Sequence, residues 1–348
     1  MTSGPDRDPT LSRRRLLAVA AAAAFPGACG RKPSPGSDVP STGPGPSVQP
    51  PSGTPDAGPS RTPAPVTGGG GPVAFTPGAV RLGAYLDLRG KSLSESLTLR
   101  RRQLGRDAAV LHRFLRWDDD MPRSNPDPRD STLMISWRGT AYDRITDGSA
   151  DQRIAAAARR LAGHGDPVLL RWGWDMNRDF YAWGGADNDR DTDGYVGAWR
   201  HLHRIFGEEG ADNVAWVWSP HRRSTPDEAW NAAARYYPGD RYVDWVGVSG
   251  FNIGGESPAG LFDTRYAEYA HRKPIIVTEV AAVDRGGRTK ADWIDRFADW
   301  VRARPAVGAV VWFDTDTHPR SGEKWRIDSD KRALAAFRSM ADDPAFGG

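Results

Sequence analysis

The sequence predicts an α/β fold, a (β/α)8 TIM barrel, behind an N-terminal export segment and a long spacer. Three observations predict it. Eight short apolar runs alternate with amphipathic stretches. Residues 73–348 remain once the export segment and spacer are set aside, 276 residues against the ~250 typical of such a barrel. No GxGxxG follows a strand and no Walker pattern appears, so an open nucleotide-binding sheet loses its usual support.

Residues 1–29 have the make-up of a signal peptide. Ser-Arg-Arg-Arg-Leu-Leu at 12–17 leads into an Ala-rich apolar run, Ala18 to Phe25, too short to span a membrane. The paired arginines before leucines resemble a twin-arginine export signal. Pro26-Gly27-Ala28-Cys29 resembles a lipobox, with proline where an aliphatic residue is usual, which makes Cys29 the expected lipidation site. The expected localisation is extracytoplasmic, either lipid-anchored on the outer face of the membrane or secreted. Residues 30–72 hold 12 Pro and 10 Gly in 43 positions and offer little to bury, so they are expected to form a disordered spacer.

Composition narrows the function classes. Forty-seven basic against 44 acidic side chains leave a net charge of +3, too small to argue for nucleic acid or an anionic membrane surface as partner. One cysteine excludes an intramolecular disulfide and cysteine-built metal sites. Asp189–Gly194 opens like a calcium loop, but Arg200 stands where the bidentate glutamate belongs, and Asp193 reads as the N-cap of the next helix. His201 and His203, two residues apart on a helix, cannot share a face as ligands. Ser249 lacks the full GxSxG pattern of a hydrolase nucleophile. No metal or cofactor is therefore expected, and a tethered monomer is the default.

In chain order the strands are expected at Val80–Leu86, Ala108–Phe114, Thr132–Trp137, Pro167–Trp172, Val214–Trp218, Val243–Val248, Pro274–Thr278 and Val307–Phe313. Continuous apolar runs of this length suit parallel strands covered on both faces. Amphipathic periodicity places helices at Asp151–Ala162, Asp193–Phe206, Pro258–Ala270, Lys290–Arg304 and Lys331–Met340.

In such a barrel the chemistry lies at the C-terminal ends of the strands. The first strand leads to Asp87, the fourth to Arg171–Asn177, the fifth to Trp218-Ser219-Pro220-His221 and the sixth to Ser249–Asn252. The seventh ends on Thr278-Glu279 and the eighth on Trp312-Phe313-Asp314. Two carboxylates ringed by tryptophans point to glycoside hydrolysis. One carboxylic acid protonates the leaving oxygen, a second carboxylate attacks or assists at the anomeric carbon, and aromatic faces pack on sugar rings. Of the 14 tryptophans, Trp172, Trp216 and Trp245 read as strand core. Trp174, Trp183, Trp218 and Trp312 are the cleft candidates.

These blocks resemble glycoside hydrolase family 26, the β-mannanases and related β-glycanases. Ser92–Trp117 is similar to the family's start. Arg171–Asn177 resembles the strand-four motif, in which Arg…His-Glu-Met-Asn carries the acid/base glutamate, and Phe180–Trp183 the aromatic stretch after it. Asn213–Pro220, Tyr237–Asn252, Lys273…Glu279 and Trp312-Phe313 are similar to the later blocks. The resemblance implies a retaining TIM-barrel enzyme acting on internal β-1,4 bonds of a polysaccharide, β-mannan most of all. It assigns Glu279 as nucleophile, with a structural ion pair to Arg171 as the competing reading, and Asp175 as acid/base. Arg171, Trp174, Asn177, Trp183, Trp218, Phe251 and Trp312 become the substrate-binding set, with loop capping the competing reading for Asn177. Asp175 replaces the family's glutamate, Trp174 its frequent histidine, and Phe251 a tyrosine that would hydrogen-bond the nucleophile. The shorter side chain withdraws the acid by about one bond length, leaving open a second reading: a glycan-binding lipoprotein that keeps the cleft with weakened catalysis. Trp174 is expected to desolvate Asp175 and hold it protonated.

Overall fold

The computed structural model describes residues 63–127, 131–318 and 324–348. The export segment, Cys29 and the spacer as far as residue 62 lie outside the described residues. The strands are β1 (Arg81–Asp87), β2 (Val110–Leu115), β3 (Thr132–Trp137), β4 (Val168–Trp172), β5 (Val214–Trp218), β6 (Trp245–Asn252), β7 (Ile275–Ala282) and β8 (Val307–Thr315). All pair in parallel with their sequence neighbours, and β8 closes on β1 to make a barrel. Every residue of β4, β5, β7 and β8 is buried, as expected of strands lined inside by the barrel core and covered outside by helices. The eight expected strands are therefore all present. β6, β7 and β8 run further toward the mouth than their apolar runs indicate, because polar Ser249, Asn252, Glu279 and Asp314 continue the ladders.

The helices are α1 (Leu93–Leu104), α2 (Asp143–Thr146), α3 (Asp151–Ala162), α4 (Thr192–Glu208), α5 (Pro258–Tyr269), α6 (Thr289–Arg302) and α7 (Lys331–Asp342). Among the described residues no α-helix joins β2 to β3, and three short 3-10 turns replace one between β5 and β6. α4 is capped by Asp191, whose carboxylate accepts from the amide of Gly194, rather than by Asp193. α1 has a weak apolar stripe and was not expected; its Ser92/Glu95 capping box and left-handed Gly105 define it.

The barrel interior is filled by Val110, Met134, Leu169, Ala215, Val217, Ile276, Ala309 and Val311, a cluster separate from the helix-facing core. Val73 and Phe75, ahead of β1, complete it from the N-terminal end, with Phe75 set edge-on against Trp245. Part of the expected spacer, at Val66 and Gly69-Gly70, is accordingly docked on the domain. The Val66 amide donates to Ala270, and the Trp245 indole donates to the Gly70 carbonyl at 2.9 Å. Gly70, at φ 92°, permits this approach, since a Cβ there would stand 2.4 Å from the Val73 carbonyl oxygen.

Candidate active site

β4 carries Arg171 into the barrel and ends in a tight turn. Gly173 (φ 51°) and Asp175 (φ 53°) are both left-handed, a conformation that glycine adopts freely and aspartate better than most side chains. The Asp175 amide donates to the Ser219 carbonyl at 2.9 Å, tying the turn to the end of β5. β7 delivers Glu279 through a bulge. Val277 pairs with Val310 and Val280 with Trp312, so Thr278 and Glu279 together face a single residue of β8. Bulges of this kind re-aim side chains next to functional sites.

Arg171 joins the two carboxyls. It is wholly buried, donates to Glu279 Oε1 at 2.5 Å and lies 3.8 Å from Asp175 Oδ1. It also donates to the hydroxyls of Ser249 (3.1 Å) and Ser136 (3.2 Å). Both carboxyls therefore flank one guanidinium, with their nearest oxygens no more than roughly 9 Å apart, the upper limit of the spacings used by paired glycosidase carboxyls. His112 meets Ser136 at 2.7 Å, and burial drives its pKa well below the ordinary value, so it adds no second cation beside Arg171.

Burial pushes the Asp175 pKa up to about 6, against the pull of Arg171 and Arg178. Glu279 is also raised by burial, with Arg171 restraining the rise and Asp175 adding to it. The arginine supplies the donor that Phe251 cannot. The expected ion pair thus exists, and Glu279 still opens on the cleft.

The cleft, about 240 Å³, is walled by Trp174, Tyr181, Phe251, Phe313 and Trp325, with Arg178, His221, His318 and Ser249 as polar lining beside the two carboxyls. Phe251 stacks on Trp325 at 5.3 Å between ring centroids. Of the expected substrate-binding set, only Trp174 and Phe251 reach this surface. The other five do not line it. Arg171 lies beneath the floor as the anchor of both carboxyls. Asn177 is a loop cap: its amide donates to the His221 carbonyl and to Ser224, and its oxygen accepts from the His221 amide. Trp183 packs behind Trp174 and donates to its carbonyl at 2.7 Å. Trp218 faces the outer layer beside Tyr237 and Tyr269, its indole bonded to Tyr236. Trp312 packs on Trp293 and Phe337 of the helix layer. Side chains alternate across a strand, so a tryptophan next to an inward residue points outward.

Trp312 nonetheless serves the cleft indirectly, because its indole donates to the Trp325 carbonyl at 3.1 Å. Trp325 and Tyr181 are the aromatic walls that strand-end reasoning missed. Tyr181 sits in an aromatic stretch already visible in the sequence, whereas Trp325 lies in a loop with no periodicity to mark it.

The family described as "Glycosyl hydrolase family 26" matches residues 129–318. Endoglucanase H of Acetivibrio thermocellus is 32% identical over 281 residues, 74% of this chain and 30% of that protein. A mannan endo-1,4-beta-mannosidase of Bacillus subtilis is 27% identical over 160 residues, 42% of this chain and 41% of its own length. The chain thus spans less than half the length of these curated relatives. The barrel also resembles a GH26 beta-mannanase from Bacteroides ovatus, with TM-score 0.57, 16% identity, and 77% of this chain and 89% of that one covered. The match extends from just before β3 to the end of the described loop after β8, over half the chain, and takes in both carboxyl-bearing strands: the chain belongs to glycosyl hydrolase family 26.

Proposed function

We propose that this chain is a retaining glycoside hydrolase that cleaves internal β-1,4 bonds of a polysaccharide, with β-mannan the foremost substrate. The observation that carries the reading is the pair of buried carboxyls, Asp175 and Glu279, flanking Arg171 at the mouth of one aromatic cleft. The relatives named for mannan and the likeness to a beta-mannanase support the choice of sugar.

In the first step the Glu279 carboxylate attacks the anomeric carbon. The bond to the leaving oxygen breaks, and that oxygen takes the proton of Asp175. A glycosyl ester on Glu279 results. In the second step Asp175, now a carboxylate, accepts a proton from water as the water oxygen attacks the same carbon and Glu279 departs. Arg171 holds Oε1 of Glu279 and favours its ionised form. The aromatic walls pack on the sugar rings and exclude water.

Release of reducing ends from mannan, mixed-linkage glucan and xylan tests the activity. Glu279→Ala and Asp175→Ala each reduce kcat by at least about 10³-fold, as expected for removal of a covalent nucleophile and a general acid. Full activity in Glu279→Ala would end the reading. The anomer first released, read by proton NMR, is the β form; an α product would replace double displacement by a single inverting step. We further infer that the domain works outside the cytoplasm as a monomer tethered through a lipidated Cys29. Fatty-acid labelling is expected to disappear in Cys29→Ser.

A further inference from the structure

A second opening lies at the same end of the barrel. At the ends of β1 and β2 a pocket of about 260 Å³ is lined by Tyr85, Asp87, Lys91, Leu93, Arg113 and Phe114. Only an aromatic wall separates it from the cleft. Tyr85 stacks on Phe313 with ring centroids 4.8 Å apart, and Phe114 meets Trp174 at 5.4 Å, where Phe313 and Trp174 are themselves cleft walls. A chain of sugar rings leaving the cleft on this side passes over Tyr85 and Phe114 into the second pocket.

Two cations and one carboxylate, Asp87, line that pocket. Lys91 and Arg113 are exposed and make no ion pair among the described residues. Asp87 stays in the lining beside Tyr85, and Glu95 lies within the field of Lys91, so the lining keeps one positive charge in excess. Asp87 accepts from the Thr317 hydroxyl, and Glu95 accepts from the amide and hydroxyl of Ser92 at 2.6 and 2.8 Å. The hydroxyls of a neutral mannan offer the two cations only single, uncharged acceptors, whereas a carboxylate fits the guanidinium fork, takes a further bond from an ammonium and offsets the excess charge.

We propose that this second pocket binds an acidic sugar of the glycan, a uronic acid unit, with its carboxylate held by Lys91 and Arg113 and its ring packed on Tyr85 and Phe114. The proposal rests on reading the neighbouring cleft as a glycan cleft, and it narrows the substrate to one that carries negative charge within reach of the cut.

The test is affinity electrophoresis of the full chain in gels holding a glucuronate-substituted glycan, the same polymer after carboxyl reduction, or a sulfated polymer of that backbone. The uronate polymer retards the protein, and carboxyl reduction weakens retention roughly tenfold, as does Lys91→Gln/Arg113→Gln, in keeping with the loss of charge-assisted bonds at an exposed site. Added salt weakens retention by the uronate polymer and leaves that by the carboxyl-reduced polymer unchanged. Equal retention by the charged and reduced polymers would overturn the proposal, as would undiminished retention of the double variant. Retention by the sulfated polymer as strong as by the uronate one would overturn the assignment to a carboxylate. Reducing-end release from the same polymers separates the two readings. Charge-dependent retention without cleavage leaves the acidic pocket standing and removes the hydrolase reading; cleavage without charge-dependent retention does the reverse.

Discussion

Asp175 shows how backbone and burial act on one carboxyl. Its left-handed φ of 53° sits more comfortably with aspartate than with a longer side chain, and it is only 9% exposed. A glutamate there must keep the same left-handed backbone, so Asp175→Glu is expected to cost about 1–2 kcal/mol in stability and to leave kcat no higher. A large gain in turnover would instead mark the cleft as catalytically degenerate. With its pKa raised to about 6, Asp175 is protonated in the folded state over a range where the unfolded chain has ionised it. Its stabilising effect is full below about pH 4 and is lost as pH rises through about 6. Asp175→Asn should therefore abolish turnover yet raise stability at pH 7 on the order of 2 kcal/mol, a gain that vanishes at pH 4 in thermal unfolding. The same protonation sets the rate profile of the free protein: kcat/KM falls as pH rises through about 6, while ionisation of Glu279 sets the acidic limb. Asp175 and Glu279 were legible in the sequence because each follows a strong strand pattern. Their shared partner was legible only as a competing explanation for Glu279, since nothing in the spacing places Arg171 beneath both groups.

Among the elements, the loop between β8 and α7 matters most to the cleft, because it brings Trp325 against Phe251. Buried Arg100 of α1 pairs with Asp314 at 2.5 Å and with Asp328 at 2.8 Å, and Trp312 holds the Trp325 carbonyl. Lys290 of α6, also buried, donates its ammonium to the carbonyls of Lys324 and Arg326 and to the Ser329 hydroxyl. If the cleft holds the glycan as proposed, Trp325→Ala is expected to raise KM about tenfold with a smaller change in kcat, because the ring is a wall of the cleft and carries no reacting group. Lys290→Met should raise KM in the same sense through the loosened loop, and Lys290→Arg should restore part of it. α3, α4, α6 and α7 were legible in the sequence by their apolar periodicity, and α5, whose stripe is weak, by the Ser257-Pro258 start that caps it. α1 was not: its buried face includes Ser96 and Arg100, and its clearest signal is a capping box rather than a stripe.

At the scale of the molecule, the barrel is closed at one end by residues that directly follow the expected spacer. Phe75 and Val73 complete the inner core, so Phe75→Ala should lower stability by about 3–5 kcal/mol in denaturant unfolding, as for other large core truncations. Deleting residues 30–62 should leave that stability unchanged, whereas extending the deletion through Phe75 should reproduce the loss. The sequence by itself determined the barrel, its eight strands in order, the family and the two carboxyls. Apolar runs, helical periodicity and strand-end motifs are local, and short segments carry them whole. Only the tertiary structure decided which aromatic rings face the cleft. Trp218 and Trp312 adjoin the site in sequence and point away from it, while Trp325 comes from a loop and faces it. Which face of a strand a ring occupies depends on register and on bulges such as that at Thr278-Glu279, and these are fixed by closure of the whole sheet.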